Sequence, residues 1–258
     1  MEQKDLAQMG AAGVIITEFE GIRCVRKILA SRTEIGFYQQ GAKALSGVNT
    51  PHLIAVQGRD LLIEYLPERL TLEQVNTCIN TFEQLATIHR SDYQPQFELK
   101  AHQWPREASE RALQTLQLPK RSQQSLRAIQ QISAELFESD TLISGDSNHG
   151  NWGARHNGQR VLFDWERFGY GSPAIDLAPL VFDLGDISAY QTIVERYLRG
   201  GGIGEAESLI RHLIIAKAWL VVEVTNILQA RNKPDAERYF NWYRQNLPAW
   251  LEQIENHF

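Results

Sequence analysis

The sequence predicts an α+β protein of two lobes: a small β-rich N-terminal lobe over residues 1–66 and a larger, mainly helical C-terminal lobe over residues 67–258. Three observations carry this. Four short runs rich in Val, Ile and Leu fall within the first 66 residues, helical periodicity takes over after Pro67, and one hairpin with an Asn-Gly turn interrupts the helical part.

VIITEF (14–19), RCVRKIL (23–29), HLIAVQ (52–57) and LLIEYL (61–66) are the predicted strands, with Glu20-Gly21 and Gly58-Arg59-Asp60 as turns. Between the strand pairs, SRTEIGFYQQGAKAL (31–45) predicts one helix, with Ser31 as N-cap and Glu34 in the capping-box position. Helical spacing returns over 71–90, 107–117, 121–137, 189–199, 205–230 and 235–256. The most apolar run, LIRHLIIAKAWLVVEVTNIL (209–228), is interrupted by Arg211, His212, Lys217, Glu223 and Asn226. A membrane span wants about 20 predominantly apolar residues, so this run predicts a buried helix.

Composition narrows the function. The chain has 258 residues, 43% of them hydrophobic and 22% charged, with a formal net charge of −5. An evenly spread acidic balance argues against a nucleic-acid partner, because phosphate contacts need clustered Lys and Arg. Cys24 and Cys78 share no metal-ligand spacing and read as two thiols in a reducing compartment. MEQKDLAQMG has no apolar core of a leader, and the expected setting is cytoplasmic, with no membrane partner.

The chemistry concentrates in residues 144–166. Asn157-Gly158 predicts a two-residue type I′ turn. In that register Ala154 faces Val161, Trp152 faces Phe163, and Asn151 faces Asp164. Opposed residues have Cβ atoms about 4.5–5.5 Å apart, which allows an amide oxygen and a carboxylate oxygen to share one small cation. Mg²⁺ takes hard oxygen ligands, commonly one or two protein groups plus substrate phosphates. Asp146, on the loop entering the first strand, is a candidate to orient an attacking hydroxyl and accept its proton.

Asp146-x-x-x-x-Asn151 followed by Asp164 resembles the catalytic and metal-binding segment of the protein-kinase-like fold. GDSNHGNW and LFDWERFGYGSPAIDLA are similar to the wording of the aminoglycoside phosphotransferase/choline kinase family. That resemblance implies ATP and Mg²⁺ as cofactors, with Asp146 catalytic and Asn151 and Asp164 on the metal. It also implies a nucleotide site using Lys27 at the phosphates, Glu34 paired to Lys27, Val25 against the adenine, and the connection from Glu64 to Leu66. Asp176 corresponds to an aspartate that braces the catalytic loop. Only eleven residues separate Asp164 from Asp176, and no Ala-Pro-Glu element follows. A peptide-docking segment has no room, so a small hydroxylated acceptor is expected, of aminoglycoside, choline or thiamine type.

Two positions depart from the family pattern. Ser144 stands where the family has a histidine, and Gly10-Ala-Ala-Gly13 is a thin glycine loop. They motivate an alternative, a nucleotide-binding pseudokinase acting as a sensor or partner module; a metal-dependent hydrolase using the same acidic cluster is a third reading. Asp183, Trp219 and Glu223 are candidate substrate residues. Trp219 and Glu223 lie one turn apart, where ring and carboxylate together could hold a cation.

Overall fold

The computed structural model describes residues 13–232 and 234–258. Alternation and tight turns build the N-terminal sheet. β1 (Gly13–Phe19) and β2 (Ile22–Ile28) meet at the Phe19–Ile22 pair, so Glu20 and Gly21 form the turn, at φ 50° and 78°. Two successive positive φ values are the type I′ geometry that matches strand twist. β3 (Leu53–Gln57) and β4 (Asp60–Glu64) close across Gly58-Arg59. The antiparallel order β1-β2-β4-β3 makes β2 an inner strand, with Val25 opposite Ile63 and Lys27 opposite Leu61. Of the expected glycine loop, Gly10 to Ala12 lie outside the described residues.

Ser31 starts the helix as expected, its hydroxyl accepting the Glu34 N–H at 3.0 Å. The single helix expected over 31–45 is instead α1 (Arg32–Gly36), a π-helical turn (Phe37–Gly41) and α2 (Ala42–Ala44). Local periodicity gives no sign of the wider turn. It sits where Phe37 leaves the helix surface to stack on Trp165, ring centroids 3.8 Å apart.

After Pro67, β5 (Glu68–Arg69) leads to α3 (Leu72–Thr77) and α4 (Ile79–His89). One helix was expected over 71–90; the break is Cys78, in extended backbone. Tertiary bonds hold it: the Asn76 carbonyl accepts from Arg196 at 2.7 Å, and the Asn76 amide donates to the Leu180 carbonyl at 3.2 Å. α5 (Arg106–Leu116) and α6 (Lys120–Gln131) follow, then β6 (Leu142–Ile143), β7 (Trp152–Ala154), β8 (Arg160–Leu162) and β9 (Gly169–Tyr170). The chain ends with α7 (Ala174–Leu177), α8 (Ile187–Arg199), α9 (Ala206–Ala230) and α10 (Ala236–Gln253). α9 is the interior helix the sequence suggested. It is long and apolar enough to cross a membrane, but Leu213, Ile214, Ile215 and Val222 are fully buried in the helical core.

The β7–β8 hairpin corrects one expectation. Trp152 pairs with Leu162, Gly153 with Val161 and Ala154 with Arg160, one place away from the register that two turn residues would impose. Arg155 N–H donates to the Gln159 carbonyl and Gly158 N–H to the Arg155 carbonyl, so His156, Asn157 and Gly158 form a three-residue loop. Gly158, at φ 79°, is the left-handed residue that such loops require. Asn151 therefore pairs with Phe163, whose N–H donates to the Asn151 carbonyl at 2.9 Å, and Asp164 lies one residue further on.

α9 also buries a lysine. Lys217 donates to the Val181 carbonyl at 3.0 Å, and burial, offset only in part by the charge of Asp183, pushes its pKa down to about 7. The unfolded chain, with an ordinary lysine value, binds this proton more tightly than the folded one. The resulting destabilisation is full below pH 7 and fades as pH rises from 7 toward 10.5. Lys217→Met is therefore expected to stabilise the fold at pH 6 by on the order of 2 kcal/mol, after loss of the Val181 bond. The gain should shrink steadily in urea titrations up to pH 10. A difference that stays constant with pH would contradict this account.

Candidate active site

The site begins at Lys27. Val25 and Lys27 share one face of β2 by the period-two rule. Ser31 starts α1 one turn before Glu34, so the Glu34 carboxylate turns back toward that face. Nζ of Lys27 lies 2.7 Å from each Glu34 oxygen and 2.8 Å from Oδ1 of Asp164, which arrives from the other lobe. Burial favours the neutral amine, but Glu34 and Asp164 outweigh it and hold the Lys27 pKa above the ordinary lysine value. Burial pushes the Glu34 carboxyl up to about 7, the pull of Lys27 offsetting only part of that cost.

Packing fixes this triad. Phe37 stacks on Trp165 with ring planes 9° apart, and Phe168 meets both rings edge-on. The Trp165 N–H donates to Oε1 of Glu34 at 3.3 Å. Gly36 is held to glycine by close approach: a Cβ there would lie 2.4 Å from the Phe97 ring. Removing a buried ring of this kind costs about 3–5 kcal/mol.

Asp146 sits on the loop between β6 and β7, oriented by Asn148, whose Nδ2 donates to Oδ1 at 2.7 Å. Burial raises its pKa, the Asn148 bond and the Arg167 charge lower it, and the nearby Asp164 charge raises it; the net direction is up. Nδ2 of Asn151 donates to the Asp146 carbonyl at 2.9 Å, which directs the amide oxygen the opposite way. Asp164 is reached through a left-handed residue, φ 67° at Asp164 itself, rather than by direct opposition to Asn151. With Asn151 engaged through nitrogen and Asp164 through Oδ1, each keeps one hard oxygen. Hard oxygens of this kind are the donor chemistry that Mg²⁺ takes when phosphates complete its shell. Among the described residues no cluster of three or more His, Cys, Asp or Glu forms a self-sufficient metal site.

Ser144 holds its loop without a histidine. Asp176 is fully buried and accepts from the Ser144 N–H (2.7 Å), the Ser144 hydroxyl (2.9 Å) and the Gly145 N–H (2.8 Å). His89, from the end of α4, donates Nε2–H to the same carboxylate at 3.2 Å. Its Nδ1 accepts from the Tyr197 hydroxyl at 2.8 Å, and that oxygen accepts the Ile203 N–H at 3.2 Å.

The remaining expected residues divide. Val25 is half-buried against the core. Glu64 turns its carboxylate to Arg155, at 2.7 and 2.6 Å, pinning the lobe connection to the hairpin. Leu66 packs over Gly153 of β7, where an added Cβ would lie 3.0 Å from its side chain. Asp183 is exposed on the turn before α8, and its charge acts on the buried Lys217. Trp219 is buried against Phe137 and His102, and the cation between Trp219 and Glu223 is the protein's own Arg167. Sequence reasoning missed Arg167, Glu166 and Asn148. Glu166 stands next to the triad with its pKa raised by burial and by Asp164; its place two residues after Asp164 was the available signal.

Residues 27–211 match the Phosphotransferase enzyme family. The chain belongs to this family. As a member it is a phosphotransferase, and its fold is protein-kinase-like. No curated protein matches the sequence significantly. Among solved structures it is similar to a choline/ethanolamine kinase family protein from Mesorhizobium loti, at 17% identity and TM-score 0.67, covering 98% of this chain and 89% of that one. It is also similar to LicA in complex with AMP, at 16% identity and TM-score 0.63, over 98% and 91% of the chains. A macrolide 2'-phosphotransferase from Brachybacterium faecium matches at 13% identity and TM-score 0.58, over 95% and 91%.

The Asp176 bonds order two substitutions. Ser144→Ala removes one bond to a buried carboxylate and should cost about 1.5–3 kcal/mol. Asp176→Asn turns an amide N–H₂ toward a set of donors and should cost more, about 3–5 kcal/mol. Urea midpoints test the order, and equal shifts would contradict it.

Proposed function

We propose that this phosphotransferase moves the γ-phosphate of ATP to the hydroxyl of a small molecule, with an aminoglycoside-, choline- or thiamine-like compound as acceptor. The observation that carries the reading is the Lys27 ammonium held between Glu34 and Asp164, with Asp146 in the same electrostatic neighbourhood. Lys27 presents a permanent positive charge to the nucleotide phosphates, and Glu34 keeps it aimed. Asn151 and Asp164 would hold Mg²⁺, which when bound neutralises charge on phosphate oxygens. Asp146 accepts the proton of the acceptor hydroxyl; its burial raises its proton affinity in the direction a general base needs. Val25, Glu64 and Leu66 would flank the adenine at the lobe connection. AMP bound to LicA is in keeping with an adenine nucleotide here.

The pseudokinase alternative drew on Ser144 and on the thin glycine loop. Ser144 bonds Asp176 through both its N–H and its hydroxyl, so the catalytic loop keeps an anchor without the histidine, while Gly10 to Ala12 lie outside the described residues.

Asp146→Ala should lower phosphate transfer by about 10²–10⁴-fold while leaving Mg-nucleotide binding measurable by calorimetry. Asp164→Ala should instead weaken nucleotide binding about tenfold in the presence of Mg²⁺ and little in its absence. The acceptor emerges from a screen of Mg-ATP consumption across aminoglycosides, choline, thiamine and sugars. Undiminished turnover in the Asp146 variant would reject the assignment.

A further inference from the structure

Arg167 has no role in the reading above, yet it joins the catalytic loop to α9. Its Nε donates to the Gly145 carbonyl at 3.1 Å, and its Nη2 donates to Glu223 at 2.6 Å. Its guanidinium carbon lies 5.5 Å from the Trp219 ring centre. Its own carbonyl accepts Nε2–H of His102 at 2.9 Å. His102 is kept neutral by burial, its pKa lowered to about 4, so it acts here as a fixed donor. Backbones are equally close: a Cβ on Gly145 would lie 2.1 Å from the Arg167 carbonyl oxygen.

Gly145 immediately precedes Asp146 and has φ 80°. A glycine has the widest conformational choice of any residue, so this is where the loop would swing if left untied. Its N–H belongs to the peptide plane before its Cα, and Asp176 holds that plane at 2.8 Å. Its carbonyl belongs to the plane after, and Arg167 holds that one. Two clamps on the two planes flanking one Cα fix both φ and ψ, and with them the direction in which Asp146 leaves the chain. A single clamp would leave one of the two dihedrals free.

We propose that Arg167 is a positioning residue for phosphate transfer, holding the Gly145–Asp146 peptide in the orientation that aims Asp146. Glu223, Trp219 and His102 are then the holders of Arg167 and not the binders of an acceptor. The inference rests on the phosphotransferase reading of Asp146. The guanidinium fork suits the task, since it reaches a carbonyl and a carboxylate at once in a fixed plane. Its charge is matched by Glu223 at 2.6 Å.

The test uses the full-length chain with Arg167→Met, Arg167→Lys, Glu223→Gln and the double variant Arg167→Met/Glu223→Gln. Three quantities are measured: Mg-ADP affinity by calorimetry, turnover of Mg-ATP with the acceptor from the screen or with water, and hydrogen exchange of the amides of residues 144–148. Arg167→Met should lower turnover by about tenfold or more, leave Mg-ADP affinity within about twofold, and speed exchange only in the loop. Arg167→Lys should recover part of the turnover. Glu223→Gln should have a smaller effect, and the double variant should be no worse than Arg167→Met alone, because Glu223 acts through Arg167. Wild-type turnover or unchanged loop exchange in Arg167→Met overturns the proposal, as does strict additivity in the double variant. A wild-type chain that neither binds Mg-nucleotide nor consumes ATP defeats the phosphotransferase reading instead, while the exchange data still decide whether Arg167 holds the loop.

Discussion

One buried ammonium organises this protein. Lys27 Nζ is removed from water and held by two carboxylates, Glu34 from the small lobe and Asp164 from the large one. Taking an ion out of water costs several kcal/mol, and a lone partner seldom repays that cost. Here the second carboxylate tips the balance, and because it comes from the other lobe, the charge is satisfied only when the lobes are together. Glu34 is in turn fully buried, which ties α1 to the same condition. The Phe37–Trp165 stack adds non-polar attraction between the same two pieces of chain, so electrostatics and packing agree on a single arrangement.

The catalytic loop repeats the principle in a different chemical form. A buried carboxylate, Asp176, is satisfied by donors from the loop and from α4. The loop gains its conformation as a by-product of solvating that charge. Ser144 contributes because a hydroxyl beside a backbone N–H makes a two-pronged donor for one carboxylate. His89 extends the network through Tyr197 to the turn after α8, so helices distant in the chain bear on the loop.

Much of this was legible in the sequence because it is local. Strand alternation placed Val25 and Lys27 together on one face, and Ser31 set the phase of the helix that brings Glu34 round. The Asp146–Asn151 spacing and the Asp-Leu-Ala element around Asp176 are contiguous text. What escaped depends on partners far along the chain. The break at Cys78 answers to Arg196 and Leu180, and the π turn answers to Trp165. Trp219 and Glu223 did lie on one helix face beside a cation, as their spacing suggested, but periodicity cannot say which cation. The nearest one, Arg167, lies 56 positions from Glu223 in the chain.

The hairpin shows how a site can survive a mistaken register. Direct opposition of Asn151 and Asp164 requires a two-residue turn, whereas Gly158 takes the left-handed place in a three-residue loop and moves every pair by one. In a regular strand such a slip would send Asp164 to the opposite face of the sheet. Asp164 is not in a regular strand. β8 ends at Leu162, Phe163 still bonds Asn151, and Asp164 takes φ 67°, a conformation that Asp tolerates better than most residues. That left-handed step reverses the direction a simple alternation would give, and the carboxylate arrives at Lys27. Backbone irregularity at Asp164, and not ladder geometry, is what joins the two lobes' charges. A substitution at this position therefore removes the carboxylate and also, for most side chains, strains the turn that delivers it.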